Sequence, residues 1–193
     1  MEPTSENIIA ALKEQILQTQ QVLDEAGYDP ALVREQVADL AGKYGSPALD
    51  VGTGACACMA VMMAQKGMSV MAVDHASSAV RIAQKLAAGS LGDRLEIRHA
   101  EASRLPFADG SYSVVTAFDA VCHANDPVAV VKEMFRVSGQ AVIITELNEA
   151  GRDITRHLDG GFHNALPALL ATHCNNCQQI NNAHHVTFVC EKK

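Results

Sequence analysis

From residue 47 onward, short apolar segments alternate with stretches of helical periodicity, and this alternation narrows the possible folds more than any other feature. The apolar segments are typical of buried strands and lie at residues 48–51, 69–73, 95–99, 112–117 and 141–145. Helices are predicted between them at residues 57–65, 77–88 and 126–137. Because parallel strands need crossover connections of this kind, the pattern predicts an α/β fold with a doubly wound, mostly parallel sheet.

The segments on either side of this core complete one predicted domain of 193 residues. Residues 1–45 are expected to form an N-terminal helical cover, with helices at residues 7–25 and 30–43. Residues 46–147 form the core. Residues 148–193 are expected to add a helix at residues 154–172 and an antiparallel edge hairpin built from residues 178–180 and 186–190. The hairpin brings the predicted sheet to seven strands, and no linker or internal repeat divides the chain.

The composition argues against several classes of partner. Lys and Arg number 15 against 22 Asp and Glu, so no nucleic-acid partner is expected. The longest nearly unbroken apolar run, residues 55–64, is too short to span a bilayer, and the first residues show no secretory signal, so no membrane partner is expected either. Six cysteines in such a chain fit a reducing cytoplasm, where Cys56 and Cys58 are expected to pack as small residues between helix and sheet.

A glycine turn, Gly52-Thr53-Gly54, follows the first predicted strand. The two glycines allow a tight turn close to a ligand, and the helix that follows presents free N–H groups to an anionic part of it. Asp74 ends the second strand, where a carboxylate accepts hydrogen bonds from ribose hydroxyls. An adenosine-type ligand is therefore expected, and on these residues alone a nicotinamide dinucleotide also fits.

Asp50 lies immediately before this turn and distinguishes between the two kinds of ligand. Its carboxylate would be repelled by a pyrophosphate and attracted by an ammonium group. The charge therefore favours a ligand with an amino group over a dinucleotide. A third acidic residue, Glu101, follows the third strand and begins the segment Glu101-Ala102-Ser103-Arg104-Leu105-Pro106-Phe107.

Taken together, these segments resemble the class I S-adenosylmethionine-dependent methyltransferases, in particular the small-molecule, methyltransferase type 11-like members with an acidic-Ala…Leu-Pro-Phe loop. The resemblance covers about residues 46 to 147. It implies a Rossmann-like sheet, S-adenosylmethionine as cofactor and S-adenosylhomocysteine as product. Cys56 stands where the family usually has a third glycine, and Glu101 stands where an Asp is commoner.

The resemblance also implies roles for the residues at the strand ends. Asp50 would hold the methionine ammonium, Asp74 the ribose hydroxyls, and Phe118 would lie near the methylthio end. The turn would line the carboxylate and ribose, while the residues after the second and third strands would face the adenine. The implied cofactor-binding residues are Asp50, Gly52, Thr53, Gly54, Asp74, His75, Glu101, Ala102 and Phe118.

Asp119 and His123 follow the fourth strand, where an acceptor should meet the methyl group, and they are the catalytic candidates. An imidazole with an ordinary pKa of about 6.5 suits proton removal near neutrality, although His123 could equally cap a helix or cover the cofactor. The sequence after the strand lacks the Pro-Pro-aromatic signature of amide- and adenine-nitrogen methyltransferases. The resemblance therefore implies in-line methyl transfer to another small-molecule acceptor.

Two other functions remain open at this point. A non-catalytic S-adenosylmethionine-binding or regulatory protein would share the cofactor motifs, and an NAD-dependent oxidoreductase would share the glycine turn and Asp74. No metal site is assigned. Cys174 and Cys177 are the weak candidates for metal ligands, because they form a C-x-x-C near His173, His184, His185 and Cys190. The sequence does not set the identity of the acceptor or the oligomeric state.

Overall fold

The computed structural model describes residues 21, 24–27, 29–89, 91–155 and 162–193. Seven strands form one sheet in the order β3-β2-β1-β4-β5-β7-β6, with bounds β1 Ala48–Val51, β2 Val70–Asp74, β3 Leu95–His99, β4 Tyr112–Phe118, β5 Ser138–Leu147, β6 Cys174–Asn181 and β7 His185–Lys192. Strands β1 to β5 are parallel, while β7 runs antiparallel to both β5 and β6. The predicted doubly wound, mostly parallel, seven-stranded sheet is confirmed.

Six helices are described, with bounds α1 Pro30–Gly42, α2 Cys58–Gln65, α3 Ser77–Ala87, α4 Pro127–Val137, α5 Glu149–Thr155 and α6 Phe162–Ala171. Asp29 caps α1 by accepting hydrogen bonds from the N–H groups of Ala31 and Leu32. Asp126 caps α4 in the same way, and each cap is followed by a proline in the first turn. These are the helix starts that an Asp-Pro pair favours. Within the described residues, no helix combines the length and apolar character needed to cross a membrane.

Side chains alternate between the two faces of the sheet and build two apolar layers. On one face, α1, α2 and α3 contribute residues such as Val37, Met63 and Val80 to a layer that includes Val114 of β4. The opposite face is covered by α4 and α6, against neighbouring strand positions such as Val115. Both layers consist mainly of Ala, Val, Leu, Ile and Met. The core is thus assembled with few aromatic rings, and the sheet is buried on both faces as parallel sheets are.

The helix predicted at residues 154–172 is described only in part: residues 154–155 and 162–171 are helical, in α5 and α6, and residues 156–161 lie outside the described residues. The edge hairpin is confirmed and is longer than expected.

The predicted helix at residues 7–25 lies outside the described residues except for residues 21, 24 and 25, which are helical. The division into a cover, a core and a C-terminal part within one domain therefore stays a prediction. The described part of the cover, α1, packs against α2 and reaches β4.

Arg136 on α4 fixes the Leu-Pro-Phe loop that precedes β4. Its guanidinium donates to the backbone carbonyls of Leu105 at 2.9 Å and Phe107 at 2.7 Å, and to the Asp109 carboxylate at 2.7 Å. Glu133 completes the arrangement, because it accepts from Arg136 at 2.6 Å and from the Leu105 N–H at 2.7 Å. Contact with Arg136 lowers the pKa of the Glu133 carboxyl. One helix thereby determines the path of a loop that contains few regular backbone hydrogen bonds.

Replacing Arg136 by Met should lower the free energy of unfolding by about 1–3 kcal/mol, because two carbonyls and the Glu133 carboxylate lose a charged donor. Chemical denaturation measures this change. Arg98→Met is the matched control, since Arg98 pairs with the exposed Glu96 at 2.6 Å and surface pairs of this kind contribute little to stability. Equal destabilisation by the two substitutions would contradict the role assigned to Arg136.

Candidate functional site

The glycine turn after β1 is attached to the end of β2. The N–H groups of Gly52 and Thr53 donate to the Val73 carbonyl at 2.9 and 3.0 Å, and the Gly54 N–H donates to the Asp74 carboxylate at 2.9 Å. Gly52 and Gly54 have φ values of +75° and +65°, in the region that favours glycine. The chain therefore turns sharply at the boundary between β1 and β4, where the direction of the crossovers reverses and such sheets bind ligands.

Two open clefts meet at this turn and share Gly52. The Asp74 cleft, of about 430 Å³, is lined by residues that include Gly52, Asp74, His75, Ala102, Val121 and His123. The Asp50 cleft, of about 510 Å³, is lined by residues that include Arg34, Asp50, Gly52, Thr53, Cys58 and Phe118. Eight of the nine predicted cofactor residues line one of the two clefts, all except Glu101.

Asp74 holds the two sides of the Asp74 cleft together. One carboxylate oxygen accepts from the Gly54 N–H and the other from the Ala76 N–H, each at 2.9 Å. An ionised carboxylate offers about four acceptor sites, so two remain for a ligand. The side chain therefore has a structural role in addition to the binding role predicted from its position at a strand end.

Asp50 is a buried carboxylate whose hydrogen bonds are incomplete. Thr116 on β4 donates to one oxygen at 2.9 Å. Among the described residues, neither the other oxygen, Oδ2, nor the buried Thr53 hydroxyl has a partner within hydrogen-bond geometry. Burial raises the pKa of Asp50 to about 6, against the lowering influence of Thr53, Thr116 and the Arg34 charge. A buried oxygen without a donor is costly, which indicates that a cationic or hydrogen-bonding ligand belongs beside it.

Arg34 is a site residue that the sequence analysis missed. Helix α1 carries it to the mouth of the Asp50 cleft, where its guanidinium lies 4.7 Å from the centre of the Phe118 ring. This distance is within the range of a cation–π interaction. The sequence pointed to Arg34 only through its position in the predicted helical cover, where it lies between Val33 and Val37, two buried residues of the same helix. The cleft therefore contains a fixed cation and a buried anion.

The expectation that Cys56 and Cys58 pack between helix and sheet is wrong, because both line the Asp50 cleft and Cys58 is exposed. Ala57 between them has a left-handed backbone, with φ of +47°, and the turn brings the two thiols together. A hydrogen bond from Cys56 lowers the pKa of the Cys58 thiol to about 6, and Arg34 adds to this effect. The same interaction raises the pKa of Cys56.

Three ionisable side chains meet at the carboxyl ends of β4 and β5 and the start of β7. Asp119 has φ of +48° and its carboxylate lies 3.0 Å from Nε2 of the buried His185. Glu146 is buried beside them and accepts from the N–H groups of Val121 at 3.0 Å and Cys122 at 3.3 Å. Burial, together with the nearby Asp119 charge, raises the pKa of Glu146 to about 7. The His185 ring also contacts Phe118, with centroids 5.0 Å apart, which connects this cluster to the Asp50 cleft.

The sequence analysis found Asp119 in this cluster but missed Glu146 and His185. Glu146 lies near the end of β5, so the strand-end argument used for Asp50 and Asp74 would have identified it. His185 begins β7 and pairs with Leu147, which places it at the carboxyl edge only because β7 is antiparallel. His185 could therefore be identified only from the register of the hairpin, which the sequence does not supply.

The remaining predicted residues lie apart from this cluster. His123 is exposed in the Asp74 cleft near His75 and Ala102, whereas Asp119 is on the side of His185. Glu101 is exposed just after Ala100, so the three predicted carboxylates do not all converge inside the clefts. The roles assigned to all of the predicted site residues stay predictions.

Residues 49–144 match the family model of a methyltransferase domain. The chain belongs to this family. Norajmaline N-methyltransferase of Rauvolfia serpentina is 26% identical over 128 residues, which cover 66% of this chain and 44% of that protein. A ubiquinone/menaquinone biosynthesis C-methyltransferase of Geotalea daltonii is 30% identical over 57% of this chain and 49% of its own length. The chain thus spans less than half the length of these curated relatives.

Solved structures show the same fold at low sequence identity. A putative S-adenosylmethionine-dependent methyltransferase of Methanococcus maripaludis has a TM-score of 0.73 and 13% identity, with 100% of this chain and 97% of that chain covered. Magnesium protoporphyrin IX methyltransferase of Synechocystis, solved with bound S-adenosylhomocysteine, has a TM-score of 0.66 and 14% identity, with 84% and 83% covered. The fold expected from the resemblance is therefore confirmed for this methyltransferase domain.

Gly52→Ala should lower the free energy of unfolding by about 2–4 kcal/mol, because the added Cβ would strain a left-handed backbone and meet Ala120 Cβ at 2.5 Å. Gly67→Ala is the matched control, since Gly67 also has positive φ but open space at the Cβ position, and it should cost about 1–2 kcal/mol. Denaturation of Gly52→Ala, Ala120→Gly and the double variant completes the test. Strictly additive effects would show that the contact with Ala120 is not the cause.

Proposed function

We propose that this domain transfers a methyl group from S-adenosylmethionine to a small-molecule acceptor. The observation that carries the proposal is the buried Asp50 carboxylate, whose Oδ2 lacks a partner among the described residues in a cleft that shares Gly52 with the Asp74 cleft. Such an oxygen suits an ammonium group and repels a pyrophosphate. The family match and the shared fold support the same proposal.

The charges along the two clefts match the parts of the cofactor in order. Asp50 would accept from the methionine ammonium, and Arg34 would bind the methionine carboxylate from the opposite side of the same cleft. The two unused acceptor sites of Asp74 would take the ribose hydroxyls. Apolar residues of the Asp74 cleft, among them Ala102 and Val121, offer a surface for the adenine. An exposed Glu101 would act only at the rim of that surface.

The sulfonium of S-adenosylmethionine supplies an electrophilic methyl group when it is bound. The protein then has to hold the acceptor in line and exclude water, which needs little acid–base machinery. Phe118 lies between Arg34 and His185 and would separate the methionine end from the acceptor.

Where an acceptor must lose a proton, the cluster of Asp119, His185 and Glu146 is placed to receive it. Asp119 is the member closest to solvent, with 24% of its side chain exposed, and His185 is fully buried behind it. A Glu146 pKa of about 7 allows this group to change protonation near neutrality. His123 in the Asp74 cleft is the alternative base predicted from the sequence.

The acceptor would bind beside Phe118 and Asp119. The relatives named above include N- and C-methyltransferases, so the family alone does not define the attacking atom. We place the domain in the cytoplasm, where the thiols of Cys56 and Cys58 would remain reduced.

Calorimetric titration of the purified chain with S-adenosylmethionine, S-adenosylhomocysteine and NAD tests the proposal directly. Binding of both adenosyl compounds without binding of NAD is expected. Transfer of a labelled methyl group to a panel of small amines, phenols and thiols then tests turnover. No binding of either adenosyl compound would overturn the proposal, and binding without transfer to any acceptor would favour a regulatory protein.

The affinity for S-adenosylmethionine should depend on pH through Asp50. Burial raises its pKa to about 6, so the carboxylate is ionised above that pH and attracts the ammonium, while protonation below it removes the attraction. We expect binding to weaken about tenfold from near pH 7.5 to near pH 5. Asp50→Asn keeps the bond from Thr116 but removes the charge, so it should bind about tenfold or more weakly at neutral pH and show a flatter profile.

Cys58 is the group that could produce the same profile, because its thiol faces Asp50 and Arg34 and its pKa is also about 6. Cys58→Ser should keep the pH dependence of the wild-type chain. Asp39→Asn removes a surface carboxylate that pairs with Lys66 and should leave both affinity and profile unchanged. A profile that disappears in Cys58→Ser and persists in Asp50→Asn would assign the dependence to the thiol instead.

A further inference from the structure

Three cysteines meet at the edge of the sheet opposite the two clefts. Cys174 begins β6, Cys177 follows it, and Cys190 lies near the end of β7. Their sulfur atoms all lie within 4.8 Å of one another. His185 begins the same β7 strand at the other edge, and five residues of extended chain put the cysteines about 17 Å from it. The cluster is therefore separate from the proposed methyl-transfer site.

An irregularity in β6 creates this arrangement. Residues three apart in a regular strand point to opposite faces of the sheet. Here the pairing shifts between Cys174 and Asn176, so that Asn175 is an extra residue and Cys174 and Cys177 come to the same face. Cys190 is directly opposite Cys177 in the register. The two thiols of a C-x-x-C within a strand can lie on the same face only if a bulge of this kind adds a residue between them.

Cys177 and Cys190 form a disulfide in the structure, with Cα atoms 4.2 Å apart. A disulfide uses two sulfurs and does not account for the third. Cys174 is buried, and its thiol donates to the Leu170 carbonyl at 3.1 Å, which holds the sulfur beside the other two. Three thiolates around one ion with bonds of about 2.3 Å are about 4 Å apart, so the observed spacing needs only small movements of the side chains.

We propose that, when Cys177 and Cys190 are reduced, Cys174, Cys177 and Cys190 bind one soft, thiophilic metal ion such as Zn²⁺ or Cu⁺. Thiolate ligands select such ions over hard cations. Reduction of the disulfide takes two electrons and two protons from a dithiol reductant, which becomes a disulfide in turn. The metal ion then forms three metal–sulfur bonds and displaces the three thiol protons into the buffer.

The surroundings of the cluster favour a metal–thiolate complex. Cys177 is exposed and gives an ion access, while Cys174 and Cys190 are buried in the apolar layer that contains Leu170. The Lys193 charge is close enough to act on the Cys174 thiol and would offset part of the negative charge of three thiolates.

The test is titration of the fully reduced, oxygen-free chain with Cd²⁺, followed by thiolate-to-metal charge-transfer absorption and native mass spectrometry. We expect one tightly bound ion per chain. Cys177→Ser and Cys174→Ala should each weaken binding about 100-fold or more, since loss of even an outer-shell partner costs 10–100-fold. Circular dichroism of each variant verifies that it is folded, and the exposed Cys177 is the substitution with the least effect on packing.

The double variant Cys56→Ser/Cys58→Ser is the matched control, because it removes the other close pair of thiols. It should keep the affinity and stoichiometry of the wild-type chain for Cd²⁺. Failure of the reduced wild-type chain to bind Cd²⁺ would overturn the proposal. So would unchanged affinity in Cys174→Ala, which would reduce the cluster to a two-cysteine disulfide, or loss of the site in the double variant.

Discussion

The attachment of the glycine turn to the end of β2 determines the geometry of everything that lies beyond the sheet. Three N–H groups of the turn donate to Val73 and Asp74, so the end of β1 cannot move independently of β2. The turn passes so close to Ala120 that no side chain fits at Gly52. Because Ala120 belongs to the segment after β4, one tight turn fixes the ends of β1, β2 and β4 relative to one another. Both clefts have this turn as their common wall.

The buried acids on this edge show that the region is not optimised for stability. Asp50 and Glu146 both have raised pKa values, which means that burial disfavours their ionised forms. For an acid with a raised pKa, stability is lost as the pH rises from the unfolded value toward the folded one. Two such groups near one turn therefore destabilise the folded chain near neutrality. A bound cation beside Asp50 would offset that cost, which is consistent with a site completed by its ligand.

Much of this architecture could be predicted from local patterns, and the failures have physical reasons. The five parallel strands and the Asp-Pro helix starts depend on periodicity and capping, which are local. Arg34 and His185 joined the site through contacts between elements distant in sequence, and no spacing rule encodes such contacts. Cys58 was assigned to packing because small thiols usually are buried. The left-handed Ala57 that exposes it has no sequence signature.

The C-terminal hairpin has more consequences than an edge element usually does. Strand β7 lies between β5 and β6, and its antiparallel direction sends His185 to the edge with the clefts and Cys190 to the opposite edge. Thr187 lies between them and shares a buried hydrogen bond of 2.9 Å with Thr145 on β5. A constraint on Cys177 and Cys190 would fix the pairing of β6 with β7 near one end. The register of β7 is the same along its whole length, so a constraint at one end also limits sliding of β7 at His185. The positions of the cysteines and of the acidic cluster therefore depend on the same strand register.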